Sequence, residues 1–547
     1  MEKNYALGLD YGTLSGRALL VDIRTGRDVA EAVYAYPHAV MDKTLPDGTP
    51  LKPDSALQHP QDYLDVLQNV IPEVVQKAGI TADEICGVGL DFTACTVLPV
   101  DARLAPLCGD ARYAHTPGAY VKLWKHHGAQ AQADRLTQIA SARGEAWLAS
   151  FGGKLSPELM LPKLLETLEE EPALCDETYR FIEAGDWLVS LMVGHEVCNS
   201  CMAGYKALWN NGYPSDEYLD AVHPGLAALV RGKLSHDIIP TGTLAGYVTE
   251  EGAALTGLAV GTPVAAPIID AHAALPAAGI TKAGELLMIM GTSACHIVLG
   301  GEEKNVPGIL GVVKDGILPG WYSFEAGQSC VGDSFDWFVK NCVPESYARQ
   351  AREEGIGVHA LLTRLAREQR PGQHGLMALD WFNGNRSVLA DADLSGLILG
   401  MTLQTRPEDI YRALIESTAY GTRMIVDNFA AHGVAVERLI AAGGIAGKNE
   451  MMLQIYADVT GREIRVCDSA QASALGAAIF GAAAGNALPT LDDVIERCAR
   501  IKERIYRPDP ENQAVYEKLY AEYVTLHDCF GRGANDVMKR LRALRGI

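Results

Sequence analysis

Two short apolar hairpins, each closed by a Gly-Thr turn, do most to limit how this chain can fold. The first is Tyr5-Ala-Leu-Gly-Leu-Asp10-Tyr-Gly12-Thr13-Leu-Ser15-Gly16-Arg17-Ala-Leu-Leu-Val-Asp22, two apolar runs around a polar turn. The second is Glu285-Leu-Leu-Met-Ile-Met-Gly291-Thr292-Ser293-Ala-Cys-His-Ile-Val-Leu-Gly300. In both, a serine follows Gly-Thr within two residues. The hairpins lie about half a chain apart, which hints at an internal duplication. Between and after them, strand-like and helix-like stretches alternate. Glu84 to Phe92 reads as a strand entering a polar turn, and Leu64, Leu67, Ile71 and Val74 share helical spacing. Gly261 to Asp270 reads as a buried strand ending in a carboxylate. Later, Thr405-Arg-Pro-Glu408 has the form of a capping box ahead of a helix carrying Ile410, Leu414, Ile425 and Phe429. A strand at Arg438 to Ala442, a helix from Asn449 and a strand at Glu463 to Val466 follow. Such alternation implies α/β architecture, with helices packed on sheets.

With 547 residues, the chain is too long for one simple domain, and two large ones are expected. Its formal net charge of −21 repels nucleic acid and anionic membranes, so neither is expected as a partner. Any phosphate site must then be a local cluster of backbone N–H groups, cations and metal. The opening Met1-Glu2-Lys3-Asn4 shows no signal-peptide pattern, and no stretch is long and apolar enough to span a bilayer. The nearest, Ala472 to Gly485, is short and rich in Ala and Gly, as suits a tightly packed internal helix. Twelve cysteines at irregular spacings fit a reducing cytoplasm, where the protein is expected to reside. Cys198-Asn-Ser-Cys201 is a lone C-x-x-C, open to a redox or zinc role or to two incidental thiols. Lys43 to Pro60 reads as a loop insertion, and the tail from about Tyr506 as charged helix on the surface of the second domain.

The Walker A pattern is missing: the one candidate, Gly447-Lys448, is followed by Asn449. A Gly-Thr hairpin offers another phosphate cradle. At Gly12 the backbone can approach an anion, Thr13 and Ser15 add hydroxyl donors, and Arg17 adds a fixed charge. Asp10, at the strand end, is placed to hold magnesium through water. An ordinary polar turn explains the same residues, but Gly291 and Thr292 supply a second such turn, and two of them can clamp a nucleotide. Asp270 closes a buried strand, where ligands bind in such sheets. It reads either as a general base or as a helix N-cap. Gly443-Gly444 permits close approach of a ring or ribose, or simply a tight strand–helix turn.

Taken in order, these segments resemble the FGGY carbohydrate kinases of the actin-like ATPase superfamily. The resemblance is carried by Gly8-Leu-Asp10-Tyr-Gly12-Thr13, by Asp270 with Gly279, by Met290-Gly291-Thr292-Ser293, and by Trp381-Phe-Asn-Gly384-Asn-Arg386. Gly443-Gly444-Ile-Ala-Gly-Lys-Asn449 and Ala472-Ser473-Ala-Leu-Gly476 complete it. It implies a two-domain actin-like ATPase (ribonuclease H-like) fold with an interdomain cleft. Residues 1–278 would hold the sugar and the first phosphate loop, and 279–547 the nucleotide. ATP and Mg2+ are the implied cofactors. Gly12, Thr13, Ser15, Arg17, Gly291, Thr292, Gly443, Gly444 and Asn449 would contact ATP, with Lys448 and Asn449 competing for one contact. Asp10 would serve the metal and Asp270 would be the catalytic base.

Within the family, Asp91-Phe-Thr-Ala94-Cys-Thr-Val-Leu-Pro, Glu183-Ala-Gly-Asp-Trp187 and Cys201-Met-Ala-Gly-Tyr-Lys206-Ala-Leu-Trp209 are similar to members that act on L-ribulose. This implies L-ribulose or a related ketopentose as acceptor, sugar contacts from Ala94, Trp124, Lys206, Asp270 and Glu325, and a homo-oligomer, a dimer. By residue type alone, Lys206 reads more readily as a surface lysine than as a sugar contact, and His126 and His127 have no assigned role. The rival readings are a kinase for D-ribulose or L-xylulose, an actin-like ATPase without a small acceptor, and a sugar-binding regulator that has lost catalysis.

Overall fold

The computed structural model describes residues 3–544. Both hairpins form, and each seeds a sheet of the same design. In the first, Tyr5–Tyr11 pairs antiparallel with Ser15–Asp22, which pairs antiparallel with Arg27–Ala35. On its other side Tyr5–Tyr11 runs parallel to Ile85–Phe92, which continues in parallel to Pro263–Ala265 and Ile268–Ile269. In the second, Gly284–Met290, Ala294–Gly300 and Tyr322–Gln328 repeat the antiparallel trio. Val436–Ala442 and Ile464–Val466 then extend it in parallel. The duplication hinted at by two turns is thus a duplication of strand order, with one extra edge strand in each sheet, Leu244–Tyr247 and Gly311–Lys314.

The central strand Ile85–Phe92 is buried along its whole length, as a parallel strand covered on both faces must be. On one face helix Ala184–Val193 lies over this strand, and helix Pro60–Ala78 covers the neighbouring Ser15–Asp22 and Arg27–Ala35 with Val66, Leu67, Val70, Ile71 and Val74. It starts where His59 accepts the Gln61 N–H and Pro60 presets the first turn, and it stops at Gly79 in the left-handed conformation. The other face is covered by helix Ala472–Ala484, contributed by the second half of the chain. Glycines make room for it: a Cβ on Gly8 or Gly89 would lie 1.9 Å from the carbonyl oxygen of Ala474 or Ala477, and one on Gly87 2.0 Å from that of Gly481. Gly476 in turn admits helix Asp270–Ala277, since a Cβ there would meet the Ala273 carbonyl oxygen at 1.7 Å. The expected small-residue internal helix is therefore the common support under the strands and helix that carry Asp10, Asp91 and Asp270.

The second sheet is backed by helices Pro407–Ala431 and Glu450–Thr460. The C-terminal helix Pro510–Gly531 locks onto this layer. Its Tyr516 and Tyr523 are buried and donate to Glu416 and Asp380, each at 2.8 Å. The capping box lies one residue later than the sequence suggests. Pro407 occupies the first helical position, so the cap falls on Arg406, whose N–H donates to Asp409 at 2.8 Å. Thr405 instead accepts from the Thr402 N–H, and Glu408 accepts from Tyr347. Among the described residues, no helix is long and apolar enough to cross a membrane.

Candidate active site

Three carboxylates meet at the ends of the parallel strands of the first sheet. Asp10 and Asp91 stand in register on neighbouring strands, and Ile268 is in register with Asp91, which sets Asp270 two residues further on. Asp10 lies 3.3 Å from the Arg17 Nε, a charge contact across the hairpin. Burial raises its pKa, and Arg17 opposes the rise. Asp91 is fully buried, and its carboxyl has no hydrogen-bonding side chain near it other than Asp10. Burial and the charges of Asp10 and Asp270 push its pKa well above the usual carboxylate range. Asp270 opens helix Asp270–Ala277 and accepts the Ala271 N–H at 2.7 Å. The N-cap itself is Ile269, so Asp270 is a half-buried first-turn residue and not the cap. Burial, then the neighbouring Asp10 charge, pushes its pKa up to about 7. A carboxylate poised there can take a proton at neutral pH.

The first Gly-Thr turn is held from several sides. The Gly12 N–H donates to the Ser15 carbonyl at 3.0 Å, Tyr36 donates to the Gly12 carbonyl, and Gln58 to the Thr13 carbonyl. The Thr13 hydroxyl accepts the Trp124 indole N–H at 3.1 Å, which joins the turn to one expected sugar contact. In the second turn the Gly291 N–H donates to Ser293, and the Thr292 carbonyl accepts from Val331 and Asp333. That seats the start of helix Gly332–Asn341 on the turn, with the Thr292 side chain exposed. Gly443 lies against the same turn. Its φ is +93°, and a Cβ would sit 2.6 Å from the Met290 carbonyl oxygen, so only glycine fits without a shift. Next to it, Gly444, Lys448 and Asn449 border a cavity of about 650 Å3 with Phe335, His359 and Arg364. Asn449 caps helix Glu450–Thr460 through the Met452 N–H and also donates to Thr363, while Lys448 is exposed.

Lys206 and Glu325 come from different halves of the chain and meet beside Asp270. Glu325 is buried on strand Tyr322–Gln328. Burial disfavours its charge, yet Lys206, His272 and Cys295 together bring its carboxyl well below the usual range. Burial likewise opposes the Lys206 charge, while Glu325 and Glu158 outweigh it and raise its pKa. Lys206 is therefore an engaged, half-buried cation and not a free surface lysine.

Ala94 is held near Trp124 by a residue the sequence did not single out. The buried Lys163 donates to the Cys95 carbonyl at 2.6 Å and to the Leu123 carbonyl at 2.9 Å, one residue after Ala94 and one before Trp124. His126 is a structural residue, buried between Glu166 and the Ala56 N–H, and His127 pairs with Glu158. All twelve cysteines are free thiols.

This arrangement defines a class: two sheets of one design, a backbone turn at each, and an aspartate at their junction in electrostatic reach of a Lys and a Glu. The chain belongs to the FGGY family of carbohydrate kinases. Its residues 5–276 match the family's N-terminal domain and 286–485 its C-terminal domain. It is similar to the ribulokinase of Geobacillus thermodenitrificans, 52% identical over 99% of this chain and 97% of that protein. It is also similar to the ribulokinase of Bacillus licheniformis, 51% identical over 98% of each. Among solved structures, xylulose kinase from Rhodospirillum rubrum has a TM-score of 0.77 at 26% identity, over 96% of this chain and 98% of that one. Plasmodium falciparum glycerol kinase with ADP reaches 0.75 at 18% identity, over 96% and 98%, and shares the fold. The two-domain actin-like ATPase fold expected from the sequence is the fold found.

Proposed function

We propose that this chain transfers the γ-phosphoryl group of MgATP to the 5-hydroxyl of L-ribulose, giving L-ribulose 5-phosphate, the kinase step of L-arabinose catabolism. Full-length similarity to ribulokinases supports the acceptor. The observation that carries the chemistry is Asp270, a half-buried carboxylate with a pKa of about 7, in electrostatic reach of Asp10, Lys206 and Glu325.

In this reading the sugar lies against Ala94 and Trp124. Lys206 donates to its oxygens, Glu325 accepts from its hydroxyls, and Asp270 takes the proton of the hydroxyl that attacks phosphorus. Gly12, Thr13, Ser15 and Arg17 on one side and Gly291 and Thr292 on the other hold the phosphates: the hydroxyls and the Arg17 charge face the growing negative charge, and the two glycines, whose own N–H groups are bonded within the turns, leave room for close approach. Gly444 and Asn449 face the nucleoside from the cavity wall, and Gly443 holds that wall against the second turn. Asp10 suits magnesium, being a hard oxygen donor at the strand end, and would hold it through water. The bound ion supplies charge neutralisation to the phosphates. Closure of the two halves, 1–278 and 279–547, keeps out water that would otherwise compete as acceptor. The protein is expected to act in the cytoplasm as a homodimer.

The test is ADP release against a panel of L-ribulose, D-ribulose, L-xylulose and glycerol. L-ribulose should give the highest kcat/KM, by about tenfold over glycerol. A tenfold preference for another acceptor would reassign the substrate, and ATP hydrolysis indifferent to every sugar would indicate an ATPase without a small acceptor.

A further inference from the structure

One buried polar chain joins the two halves beside Asp270 and has no part in the proton transfer above. His272 follows Asp270 by two residues on helix Asp270–Ala277 and is 1% exposed. Its Nδ1 lies 3.1 Å from the Cys201 Sγ, and its Nε2 3.2 Å from the Glu325 Oε2. The ring packs edge-on against Tyr205, with centroids 4.6 Å apart, and the Tyr205 hydroxyl donates to the Ser323 carbonyl at 2.7 Å. Cys201, Tyr205 and Lys206 all belong to the short helix Ser200–Lys206. The other oxygen of Glu325 accepts from the Cys295 thiol at 3.3 Å.

The proton positions follow from the partners. Glu325 is a carboxylate and can only accept, so His272 Nε2 carries the proton and Nδ1 is left as an acceptor. Facing Nδ1 is a buried thiol, which can donate. The order is then Cys201 S–H to Nδ1, and Nε2–H to Glu325. His272, Cys295 and Glu325 also place zinc-type donor atoms within 4.8 Å of one another. Each of the three donors already has a protein partner, and Lys206 and Arg386 act on the cluster as cations. A hydrogen-bond relay accounts for these facts better than an ion site does.

The relay matters because Glu325 has a rival partner. A glutamate on a strand has three rotatable bonds, and the Lys206 charge lies close by. Without an anchor, Glu325 can collapse onto Lys206, and both groups then turn away from a polyol. We propose that Cys201 and His272 fix the orientation of the Glu325 carboxylate, making His272 a positioning residue that sets affinity for the sugar acceptor. This rests on the reading of Glu325 as a sugar contact. It also gives the lone C-x-x-C a role in which Cys201 acts as a neutral donor, with no redox or zinc chemistry.

The experiment compares His272→Leu, His272→Gln, Cys201→Ala and Glu325→Gln by steady-state kinetics with L-ribulose and ATP, with a melting curve for each. The glutamine amide can stand in for Nε2–H. His272→Leu should raise the KM for L-ribulose about 10- to 100-fold, as loss of an orienting partner does elsewhere. Its kcat at saturating sugar and its KM for ATP should stay within about threefold. His272→Gln should recover most of the loss, and Cys201→Ala should cost about threefold. In a Glu325→Gln background, His272→Leu should add less than about threefold, since the group it positions is altered.

An unchanged sugar KM in His272→Leu, or equal losses in the Leu and Gln variants, overturns the positioning role. So does a KM for ATP that rises as much as that for sugar. If Glu325→Gln itself leaves the sugar KM unchanged, the sugar-contact reading fails first, and this inference with it. Should His272→Leu not fold, Cys201→Ala decides: a sugar KM raised about threefold in the wild-type background but not in the Glu325→Gln background supports the relay, and a sugar KM unchanged by Cys201→Ala overturns it.

Discussion

The two sheets share strand order, yet the same row of residues carries opposite chemistry in each. In the first sheet the row at the turn reads Arg17, Asp10, Asp91 across three paired strands. In the second, the matching row reads Cys295, Ile289, Ala442. Both rows sit two residues before a Gly-Thr pair. A duplicated scaffold has thus kept its Gly-Thr turn in both halves and concentrated its charged groups in one. The physical reason lies in what each turn must do. An anion can be held by N–H groups and a glycine alone, so the second sheet needs no charge in that row. The roles proposed for Asp270 and Asp10, moving a proton and holding a cation, require carboxylates, which a functional site retains although burying them is destabilising. The split also explains the glycines: Gly443 lets a second backbone approach the turn of the apolar sheet, whereas Gly8 and Gly89 serve only to seat a helix under the charged one.

The largest expected effect comes from making the first row resemble the second. Asp10→Ile copies the residue found at Ile289 and should lower kcat/KM by about 10³-fold or more, while Ile289→Val stays within about threefold of wild type. Asp10→Asn, which keeps the shape, separates loss of charge from misfolding and should be nearly as impaired. Comparable losses in the Ile289 and Asp10 variants would dissolve the contrast between the sheets.

A smaller effect is expected at the apolar sheet. Gly443→Ala places a Cβ against the Met290 carbonyl at a φ of +93° and must push the turn away from its neighbour. The KM for ATP should rise about tenfold, with the KM for the sugar unchanged; kinetics with each substrate varied in turn would show this.

The smallest effect is in pH dependence, and its sign is fixed by Asp270. The folded-state pKa is raised from an ordinary 3.8 to about 7, so between those values the folded protein binds more protons than the unfolded chain. That contribution to stability is full below about pH 4 and is lost as pH climbs towards 7. Because Asp270 keeps solvent contact at the cleft, the loss should be only about 1–2 kcal/mol. Asp270→Asn should have a flatter stability–pH curve by denaturant unfolding and be the more stable protein at pH 8. Wild-type activity should run the other way and rise through about pH 7 as the base ionises. A kinase fully active at pH 5 would contradict the assignment of that group.

What could be read from the sequence was local. A Gly-Thr turn between two apolar runs announces a hairpin within a few residues, and the alternation of strand-like and helix-like runs announces helices packed on sheets before any strand order is known. Asp270 was visible as the end of a buried run. Asp91, His272 and Lys163 were not, although Asp91 lies in a stretch whose strand was recognised. Their significance depends on partners remote in sequence: Asp10 for Asp91, Glu325 for His272, and the carbonyls of Cys95 and Leu123 for Lys163. A buried lysine or histidine looks like any other until the fold brings its acceptors to it. The misplaced capping box shows the same limit at short range. Thr405 and Glu408 have the right spacing, but Pro407 fixes where the helix begins and moves the cap to Arg406.

The most direct trial of the account is the rate of sugar phosphate formation by Asp270→Asn, followed in a single turnover, alongside its ATP affinity measured by calorimetry. Phosphoryl transfer should fall by about 10³-fold or more, while ATP binds within about threefold of wild type. Transfer at close to the wild-type rate, with the nucleotide bound normally, would mean that the proton leaves the sugar by another route.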